Sequence, residues 1–319
     1  MIAITGAAGF IGSNLAHRLN EQGEDLLLVD HPLSRIKLAN WALLPRFQFV
    51  EHSIFLERMD EWKPDRIFHL GACSSTTETN WNYLFANNIE YTQKLWNWCA
   101  KNGVPFVYAS SAATYGNGSR GFDDQTHPQD LVPLNLYGKS KNDFDVWALA
   151  EAESGRPQPP KWAGLKFFNV YGPRESHKGR MASVVWQAYR QIRETGRMKL
   201  FKSSDPAYPD GGQTRDFVFV FDVIDHMLWH ATSKGPSGIY NSGTGEPQTF
   251  RELVESTFDA MGLPVEIDYI PMPTDLIGKY QNFTQATMSK LRSAGYAWKS
   301  TSLRNGVGHT IRWLIENDL

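Results

Sequence analysis

Short apolar runs alternate with amphipathic segments along the first half of the chain. The first run, IAIT at 2–5, leads through a cluster of glycines into an amphipathic stretch at 13–19 and then a second apolar run at 26–29. Later apolar runs occur at 47–50, 66–70, 105–109 and 164–168. The clearest helical patterns between them lie at 82–101 and 137–152. Strands that alternate with helices form right-handed βαβ units. The pattern predicts an α/β fold with a Rossmann-type, doubly wound parallel sheet, whose ligands bind at the carboxyl ends of the strands.

The alternation becomes irregular after about residue 168. A loop rich in proline, glycine and aspartate at 203–214 precedes another apolar run at 217–220. The remaining patterns are helical at 222–232, 249–261, 284–294 and 301–316, and extended at 239–241 and 265–270. We therefore predict two domains. The dinucleotide-binding domain comprises 1–168 plus about 217–244, and a smaller, discontinuous substrate-binding domain comprises about 169–216 plus 245–319.

Composition narrows the functional class. The chain has 319 residues with 32 basic and 34 acidic side chains, a formal net charge of −2. Such a balance lacks the clustered basic surplus that neutralises nucleic-acid phosphates. No stretch approaches the roughly 20 apolar residues that cross a bilayer, and the start MIAITGAAGF does not resemble a secretory signal. Cys73 and Cys99 are too few for a disulfide framework or a metal site. We expect a cytoplasmic globular protein without nucleic-acid, membrane or metal partners.

Three glycines follow the first predicted strand at GxxGxxG spacing: Gly6, Gly9 and Gly12. Glycine suits this turn because the backbone turns tightly and approaches a pyrophosphate, and because helix and strand pack closely. The N-terminus of the following helix presents amide N–H groups and a positive dipole end to the diphosphate. Glycine turns without a ligand share this spacing, but Asp30 ends the next strand, where an acid binds a ribose hydroxyl. The arrangement predicts a dinucleotide site.

The residues around Asp30 leave the choice of dinucleotide open. A carboxylate here accepts hydrogen bonds from the unphosphorylated ribose of NAD. Arg35 and Lys37 are suited to neutralise the 2′-phosphate of NADP, although both can equally be solvated charges of a helix. A segment of small residues at 70–74 (LGACS) follows a later strand and allows a cofactor to lie against the backbone. We interpret Cys73 there as a packing residue, because nothing nearby in the sequence would activate its thiol.

A tyrosine and a lysine begin the helical pattern at 137–152. Tyr137 and Lys141 are four residues apart and therefore lie on one helix face. An ammonium beside a phenol, together with a positive nicotinamide, lowers the pKa of the phenol from about 10 and makes it a general acid/base for an alcohol. Upstream, YASSAATYG at 108–116 ends a strand in hydroxyls, and Ser111 is suited to hydrogen-bond the reacting oxygen. Such pairs arise by chance on helices, but with the glycine turn this one predicts a catalytic site.

Together these motifs resemble the extended short-chain dehydrogenase/reductases, most of which act on nucleotide sugars. The resemblance implies Ser111, Tyr137 and Lys141 as a catalytic triad. Dehydratases of this superfamily carry an Asp-Glu pair just after the triad hydroxyl, whereas Ala112 and Ala113 stand there in this chain. Alanine can neither protonate a leaving hydroxyl nor abstract a proton. Oxidation–reduction and epimerisation are therefore the candidate reactions.

A closer resemblance, to the ADP-L-glycero-D-manno-heptose 6-epimerase family, extends over nearly the whole chain. It is carried by GACSSTTE (71–78), YASSAATYG (108–116), FFNVYGPRESHKGRMASV (167–184), LFKSSDPAYPDGGQTRDFVFV (200–220) and GKYQNFTQA (278–286). It implies inversion of C6 of an ADP-linked heptose by transient oxidation, for the inner core of lipopolysaccharide. The sugar ketone turns between two poses, and the family supplies a base for each, Tyr137 and Lys178. By itself, Lys178 is more readily interpreted as a solvated or phosphate-binding lysine.

The resemblance also guides the assignment of binding residues. Cofactor contacts are assigned to Gly6, Gly9, Phe10, Ile11, Gly12, Asp30, His31, Lys37, Leu70, Gly71, Ala72, Cys73, Ser74, Asn87 and Lys141. Substrate contacts are assigned to Ser111, Asn169, Val170, Lys178, Arg180, Gln187, Phe201, Lys202, Ser203, Ser204, Arg215 and Tyr280. Arg215 is suited to clamp the diphosphate because a guanidinium bonds phosphate oxygens in pairs, an ion pair with Asp216 being the alternative. The expected cofactor is tightly bound NADP, with NAD still open, and the resemblance implies a homo-oligomer, in the family a pentamer.

Two other functions are left open by the sequence. One is another nucleotide-sugar epimerase or reductase, such as a UDP-hexose 4-epimerase, against which the segments 167–184 and 278–286 argue through resemblance. The other is a non-catalytic dinucleotide-sensing module, a class that tends to lose the Tyr/Lys pair that this chain retains. Ser176 and Gln187 stand where some relatives carry glycine and histidine, which leaves the sugar preference open.

Overall fold

The computed structural model describes residues 1–32, 34–232, 234–273 and 281–319. The strands are β1 (Ile2–Thr5), β2 (Leu26–Asp30), β3 (Gln48–Glu51), β4 (Arg66–His69), β5 (Phe106–Ser111), β6 (Trp162–Phe167), β7 (Asn169–Tyr171), β8 (Met198–Phe201), β9 (Thr214–Arg215), β10 (Phe217–Phe219), β11 (Gly238–Ser242), β12 (Gln248–Thr249) and β13 (Ile267–Ile270).

The α-helices are α1 (Phe10–Glu21), α2 (Arg35–Ala39), α3 (His52–Glu57), α4 (Met59–Trp62), α5 (Trp81–Leu84), α6 (Tyr91–Asn102), α7 (Leu136–Glu153), α8 (Val184–Thr195), α9 (Val220–His230), α10 (Phe250–Met261), α11 (Ser289–Ser293) and α12 (Leu303–Glu316). A π-helical turn, Phe85–Glu90, joins α5 to α6, and 3-10 turns occur at Ala112–Tyr115, Pro128–Asp130 and Ser176–Met181. None of the helices in the described ranges is both long and apolar enough to cross a membrane.

The chain divides into two compact units. The first, called the sheet unit, comprises Met1–Phe167, Ile224–Ser242 and Thr287–Ala297, and the second unit comprises Phe168–Val223, Gly243–Ala286 and Trp298–Leu319. The predicted domains stay a prediction, and their bounds differ from those of the compact units mainly at 217–223 and 287–297. Strand β10 belongs to the second unit because it pairs with β7. The segment Thr287–Ala297 belongs to the sheet unit, where Lys290 donates a hydrogen bond of 2.8 Å to the Ile239 carbonyl in β11.

A parallel sheet of seven described strands forms the centre of the sheet unit, which confirms the predicted α/β fold class. The strand order is β11-β6-β5-β4-β1-β2-β3, and every neighbouring pair is parallel. The chain builds outward from β1 through β2 to β3 and then returns to place β4 on the other side of β1. Ligands of open α/β sheets bind at such a reversal point, so the turn after β1 lies where a dinucleotide is expected.

The core of the sheet unit explains why its strands are almost continuous apolar runs. All residues of β1 and β2 are buried, as expected for parallel strands covered on both faces. Trp96 of α6 is fully buried and packs edge-on against other aromatic rings. Its ring partners are Phe106, Phe144, Trp147 and Trp162. These contacts fix α6 and α7 against β5 and β6.

The start of α7 is anchored to the end of β5. The Asn135 side chain caps the helix by accepting the Gly138 N–H at 2.7 Å, as Asn does well at an N-cap. A Cβ atom at Gly138 would lie 2.7 Å from the Ala113 carbonyl oxygen, so glycine permits the close approach of helix and 3-10 turn. This contact brings the first turn of α7 against the segment that follows β5.

The second unit has a small parallel pair, β8 and β13, together with α8, α10 and α12. Helix α10 begins with a capping box in which Thr249 and Glu252 satisfy each other's backbone N–H groups. The Asp216 carboxylate is fully buried and accepts three backbone N–H bonds of 2.7–2.9 Å. Those donors are Thr244, Gly245 and Ala286, so Asp216 joins the segments on either side of α10.

Candidate active site

The glycine turn between β1 and α1 fits a pyrophosphate. Gly6 has a φ of +66°, and a Cβ atom there would lie 2.7 Å from the Gly71 backbone nitrogen. A Cβ atom at Gly12 would lie 2.3 Å from the Gly6 carbonyl oxygen. Gly9 is the N-cap of α1 and, as a glycine, makes no side-chain capping hydrogen bond. We call this glycine turn, Gly6–Gly12, the cradle. Its backbone packs closely against itself and against Gly71. The first-turn amide N–H groups of α1 begin at the cradle, where a diphosphate would bind them.

Asp30 ends β2 beside this turn and is almost fully buried. One carboxylate oxygen accepts the Ala8 N–H at 2.9 Å, and the other accepts the His31 N–H at 2.8 Å. The Lys37 ammonium lies 3.2 Å from that second oxygen. Because a carboxylate has about four acceptor sites, these bonds leave capacity for a ribose hydroxyl. Arg35 is exposed on α2.

The segment after β4 lies directly against the glycine turn. The Gly71 N–H donates to the Thr5 hydroxyl at 3.1 Å. Asn88 holds the next residues: its carboxamide accepts the Cys73 N–H at 2.8 Å and donates to the Cys73 carbonyl at 3.1 Å. The same side chain donates to the Ser140 hydroxyl of α7 at 2.9 Å. Asn88 thereby links the predicted cofactor segment to α7.

Sequence reasoning missed Asn88 and selected its neighbour. Asn87 is half-buried, and its side chain donates to the Tyr83 carbonyl at 2.8 Å. The pattern at 82–101 predicts a helix, but Phe85–Glu90 within it forms a π-helical turn. Such a turn contains one extra residue and changes which side chain faces inward. No pattern in a single sequence reveals that change of phase, and the cofactor contact of Asn87 stays a prediction.

The three predicted triad residues belong to the sheet unit, at the end of β5 and the start of α7. The side chains of Ser111 and Tyr137 are hydrogen-bonded to each other, and both residues are half-buried. The Lys141 side chain is 7% exposed, and its ammonium donates to the Ala109 carbonyl of β5 at 2.9 Å. The structure therefore brings the predicted phenol, hydroxyl and ammonium to one end of the sheet.

The predicted lowering of the Tyr137 pKa depends on both the Lys141 ammonium and a bound nicotinamide, and it stays a prediction. Burial raises the pKa of the phenol above its usual value, while the hydrogen bond with Ser111 acts in the lowering direction. Burial also lowers the pKa of Lys141 to about 8, against an opposing effect of Asp145. Sequence spacing placed the two groups on one face but could not show how deeply each is buried, and burial is the larger effect on both.

The 3-10 turn after Ser111 contains no acid. The Ala113 N–H donates to the Ser111 hydroxyl at 3.1 Å, and Ala112 and Ala113 are half-buried. Elimination of water from a sugar needs a group that protonates the leaving hydroxyl, which neither alanine provides. The turn therefore contributes a backbone hydrogen bond to Ser111 and no acid or base of its own.

Lys178 lies in the second unit, within the 3-10 segment Ser176–Met181. Burial lowers the pKa of its ammonium, and the nearby Glu175 carboxylate raises it. Glu175 is 2% exposed and accepts the Ser183 N–H and hydroxyl, each at 2.6 Å, and the Gly172 N–H at 3.3 Å. The segment kinks at Gly179, where φ is +54°. Lys178 is thus a half-buried cation on a loop that a buried carboxylate organises.

Other predicted substrate residues lie in or near this loop. Gln187 donates to the Gly179 carbonyl at 2.7 Å and so supports the loop from α8. Arg180 and Asn169 are exposed, and Val170 is half-buried in β7. Each keeps its predicted substrate contact as a prediction.

Arg215 is buried at the end of β9, with 6% of its surface exposed. Its guanidinium donates to the carbonyls of Thr214, at 2.9 Å, and Gln281, and its central carbon lies 5.4 Å from the centre of the Phe250 ring. The alternative partner Asp216 directs its carboxylate to backbone N–H groups.

The predicted residues at 201–204 follow β8. Ser203 lies in a loop turn. Its N–H donates to the Asp210 carboxylate at 2.8 Å, and its hydroxyl donates to the Asp205 carbonyl at 2.7 Å. Phe201 is half-buried, whereas Lys202 and Ser204 are exposed. Tyr280 lies outside the described residues.

Comparison with known proteins agrees with this geometry. A model of the NAD dependent epimerase/dehydratase family matches residues 2–243. The chain is 46% identical to the ADP-L-glycero-D-manno-heptose-6-epimerase of Nitratidesulfovibrio vulgaris strain Hildenborough, over 98% of this chain and 97% of that protein.

Solved structures resemble it as well. That of Helicobacter pylori ADP-L-glycero-D-manno-heptose-6-epimerase has a TM-score of 0.81 and 27% identity, over 98% of this chain and 95% of that one. That of Thermus thermophilus UDP-glucose 4-epimerase, in complex with NAD, has a TM-score of 0.78 and 26% identity, over 98% of both chains. The match of the family model over residues 2–243 and the 46% identity over 98% of the chain lead to one conclusion: the chain belongs to the NAD dependent epimerase/dehydratase family.

Proposed function

We propose that this protein converts ADP-D-glycero-D-manno-heptose into ADP-L-glycero-D-manno-heptose by inverting C6 of the sugar, for the heptose of the lipopolysaccharide inner core. The observation that carries the choice of substrate is the 46% identity, over 98% of the chain, with a protein of that name. The geometry supports the chemistry, because a buried ammonium and a hydrogen-bonded phenol and hydroxyl share one end of the sheet.

A nicotinamide cofactor fits the sheet unit. The glycine turn around Gly6 and Gly12 would hold its diphosphate, and the end of β2 at Asp30 would lie beside its adenosine ribose. Such a cofactor would supply reversible hydride transfer with the sugar carbon. We propose NADP as the dinucleotide, because the Lys37 ammonium, 3.2 Å from Asp30, offsets the carboxylate charge that would repel a 2′-phosphate. Identification of the nucleotide released on denaturation tests this, and NAD alone would contradict it.

The residues of the sheet unit handle the proton. In one pose of the sugar, Tyr137 takes the proton of the C6 hydroxyl, and Ser111 steadies the oxygen through its hydrogen bond with the phenol. The Lys141 ammonium supplies a positive charge that favours the phenolate. Because its pKa is about 8, Lys141 carries that charge at neutral pH.

We assign the other pose to Lys178. Inversion requires the ketone to present its opposite face, which moves the oxygen away from a fixed phenol, so a second proton carrier is needed. Burial lowers the pKa of Lys178, which brings a lysine closer to the range in which it exchanges protons. Arg215, with its planar donor array, is assigned to the diphosphate of the substrate.

The proposal is tested with purified protein and no added cofactor. Incubation with ADP-D-glycero-D-manno-heptose is expected to give the L-glycero epimer, whereas UDP-glucose is expected to stay unchanged, both followed by proton NMR. Run in deuterated water, the product should retain hydrogen at C6, because the hydride is carried internally. Formation of UDP-galactose would favour a UDP-hexose 4-epimerase, and conversion of neither sugar would favour a dinucleotide-sensing module.

We also propose that the protein forms a homo-oligomer in the cytoplasm, as its resemblance to the heptose epimerases implies. Light scattering of the purified protein tests the assembly. A mass five times the 36.2 kDa of the chain would support a pentamer, and a mass equal to one chain would contradict any oligomer.

A further inference from the structure

A buried ion pair lies in the sheet unit beside the triad, and the mechanism above does not use it. The Lys166 ammonium of β6 is 2.6 Å from the Asp145 carboxylate of α7. The two side chains are 1% and 0% exposed. Burial of two charges costs desolvation energy, and apolar residues of similar size often give equal or greater stability. Stability alone is therefore a weak explanation for this pair.

The other hydrogen bonds of the pair lead to the strand that ends in Ser111. The Asp145 carboxylate accepts the Ser110 hydroxyl at 2.6 Å and the Tyr108 hydroxyl at 3.0 Å, both from β5. The Lys166 ammonium also donates to the Thr114 hydroxyl at 2.8 Å, in the 3-10 turn after Ser111. One network thus joins β5, the 3-10 turn, β6 and α7.

Asp145 is also the counter-charge of Lys141. The two residues are four apart on α7 and therefore lie on one helix face. Burial lowers the pKa of Lys141 to about 8, and the Asp145 carboxylate opposes that effect, as does Cys73 to a smaller extent. His69 also faces Lys141, but burial lowers the pKa of that histidine to about 3, so it is neutral at physiological pH.

We propose that Asp145 is a positioning residue of the proposed epimerase, with Lys166 fixing its carboxylate so that β5 and α7 hold Ser111, Tyr137 and a charged Lys141 together. This inference rests on the proposed function. Asp145 is not proposed to contact the substrate. Asp145 acts through Lys141 and through the end of β5, which carries Ser111.

The charge of Asp145 gives the proposal a specific signature. Without that carboxylate, the ammonium of Lys141 loses its opposing charge, and its pKa falls below 8. A Lys141 that is required as a cation then fails at a lower pH, so the alkaline limb of the kcat profile moves to lower pH. A nearby opposite charge shifts a pKa by about one unit or more, which sets the expected size of the change.

The first test compares Asp145→Asn with Asp143→Asn on the same helix. Asp143 pairs with Lys139, and its side chain is 36% exposed. Asp145→Asn is expected to move the alkaline limb down by about one pH unit and to reduce kcat at pH 8 about fivefold. Asp143→Asn is expected to leave both as in the parent. An unchanged limb in a folded Asp145→Asn protein would overturn the proposal.

A second variant separates positioning from stability. Asp145→Asn leaves the Lys166 ammonium buried without its counter-ion, which destabilises the sheet unit. The double variant Asp145→Asn/Lys166→Met removes both charges and is expected to recover the parent melting temperature while keeping the shifted alkaline limb. Recovery of both properties would show that the pair is only structural and would overturn the proposal.

A readout without substrate keeps the inference separate from the proposed function. NMR of protein labelled with 15N at the lysine Nζ atoms measures the titration of Lys141 directly. We expect its midpoint near pH 8 in the parent and about one unit lower in Asp145→Asn. Failure to epimerise the heptose with this shift present would contradict the proposed function, and an unshifted midpoint would contradict the role of Asp145.

Discussion

Lys141 and Lys178, one in each unit, have similar electrostatic surroundings but different supports. In both cases burial lowers the pKa of the ammonium and one carboxylate opposes it, Asp145 for Lys141 and Glu175 for Lys178. Asp145 lies one helical turn beyond its lysine. Glu175 precedes its lysine by three residues in a loop. The same local chemistry is therefore built once on regular structure and once on an irregular segment.

The two supports differ in what holds the carboxylate. Asp145 is bonded to the side chains of Lys166, Ser110 and Tyr108 on neighbouring strands. Glu175 accepts two of its bonds from the single residue Ser183. The comparison teaches that the carboxylate beside Lys141 is held by side chains of neighbouring strands, whereas the carboxylate beside Lys178 accepts hydrogen bonds from residues close to it in the chain.

The largest effect is expected at the triad in the sheet unit. Tyr137→Phe removes the phenol oxygen and should lower kcat about 1000-fold, because a phenyl ring cannot accept or donate a proton. The KM should change little, since the ring remains. Stopped assays by NMR measure both constants, with Lys139→Met on the exposed face of α7 as the control. A loss of less than tenfold would place the proton carrier elsewhere.

The second lysine is tested by Lys178→Met, which keeps the length of the side chain and removes its charge. We expect kcat to fall about 100-fold, with the melting temperature and the retained nucleotide unchanged because the lysine is half-buried on a loop. Turnover close to that of the parent would show that one base serves both poses. Lys178 would then have no role in proton transfer.

The support of the loop is tested by Glu175→Gln. The amide replaces one acceptor oxygen by an NH2 group that faces the Ser183 donors, and the lost hydrogen bonds should lower kcat about tenfold. Its charge is lost as well, so the titration of Lys178 should move to lower pH. Glu153→Gln at the end of α7 is the control for removal of a carboxylate. If Glu175→Gln has the parental kcat, the loop does not depend on its buried carboxylate.

The smallest effect is expected from the loop backbone. At Gly179, where φ is +54°, no atom lies within 4 Å of an added Cβ, so Gly179→Ala introduces strain without a clash. Strain of this kind should lower kcat about fivefold. Gly155→Ala, in the surface turn after α7 with φ of +72°, matches the strain at a site outside the loop. An equal response in both variants would show that the loop conformation does not limit the reaction.

The contrast between regular structure around Lys141 and an irregular loop around Lys178 also determines what the sequence could predict. The spacing of Tyr137 and Lys141 predicts that they lie on one helix, and both do lie on α7. The glycine turn could be predicted because its constraints are local. Lys178 was assigned only through family resemblance, since no periodicity marks a catalytic loop. The sequence does not mark Asp145, because its contacts come from Lys166 in β6 and from Ser110 and Tyr108 in β5, which are 21, 35 and 37 residues away in the chain.

Long-range packing also explains the remaining differences. The sign of the pKa shift at Tyr137 depends on burial, which the spacing of two residues does not encode. Thr287–Ala297 joins the sheet unit through bonds of Lys290 to residues that precede it by more than fifty positions. The core of β1 and β2 was predictable because strands buried on both faces are apolar throughout.

The π-helical turn Phe85–Glu90 has a consequence for the history of this family. A turn of this kind is equivalent to one residue inserted into an α-helix. Loss of that residue would rotate Trp81–Leu84 by about 100° relative to Tyr91–Asn102 and would bring a different side chain to the place of Asn88. Homologous chains that differ by a single residue in this region should therefore be aligned with the gap inside the helix, and those without the insertion should have acquired another way to hold the peptide at Cys73.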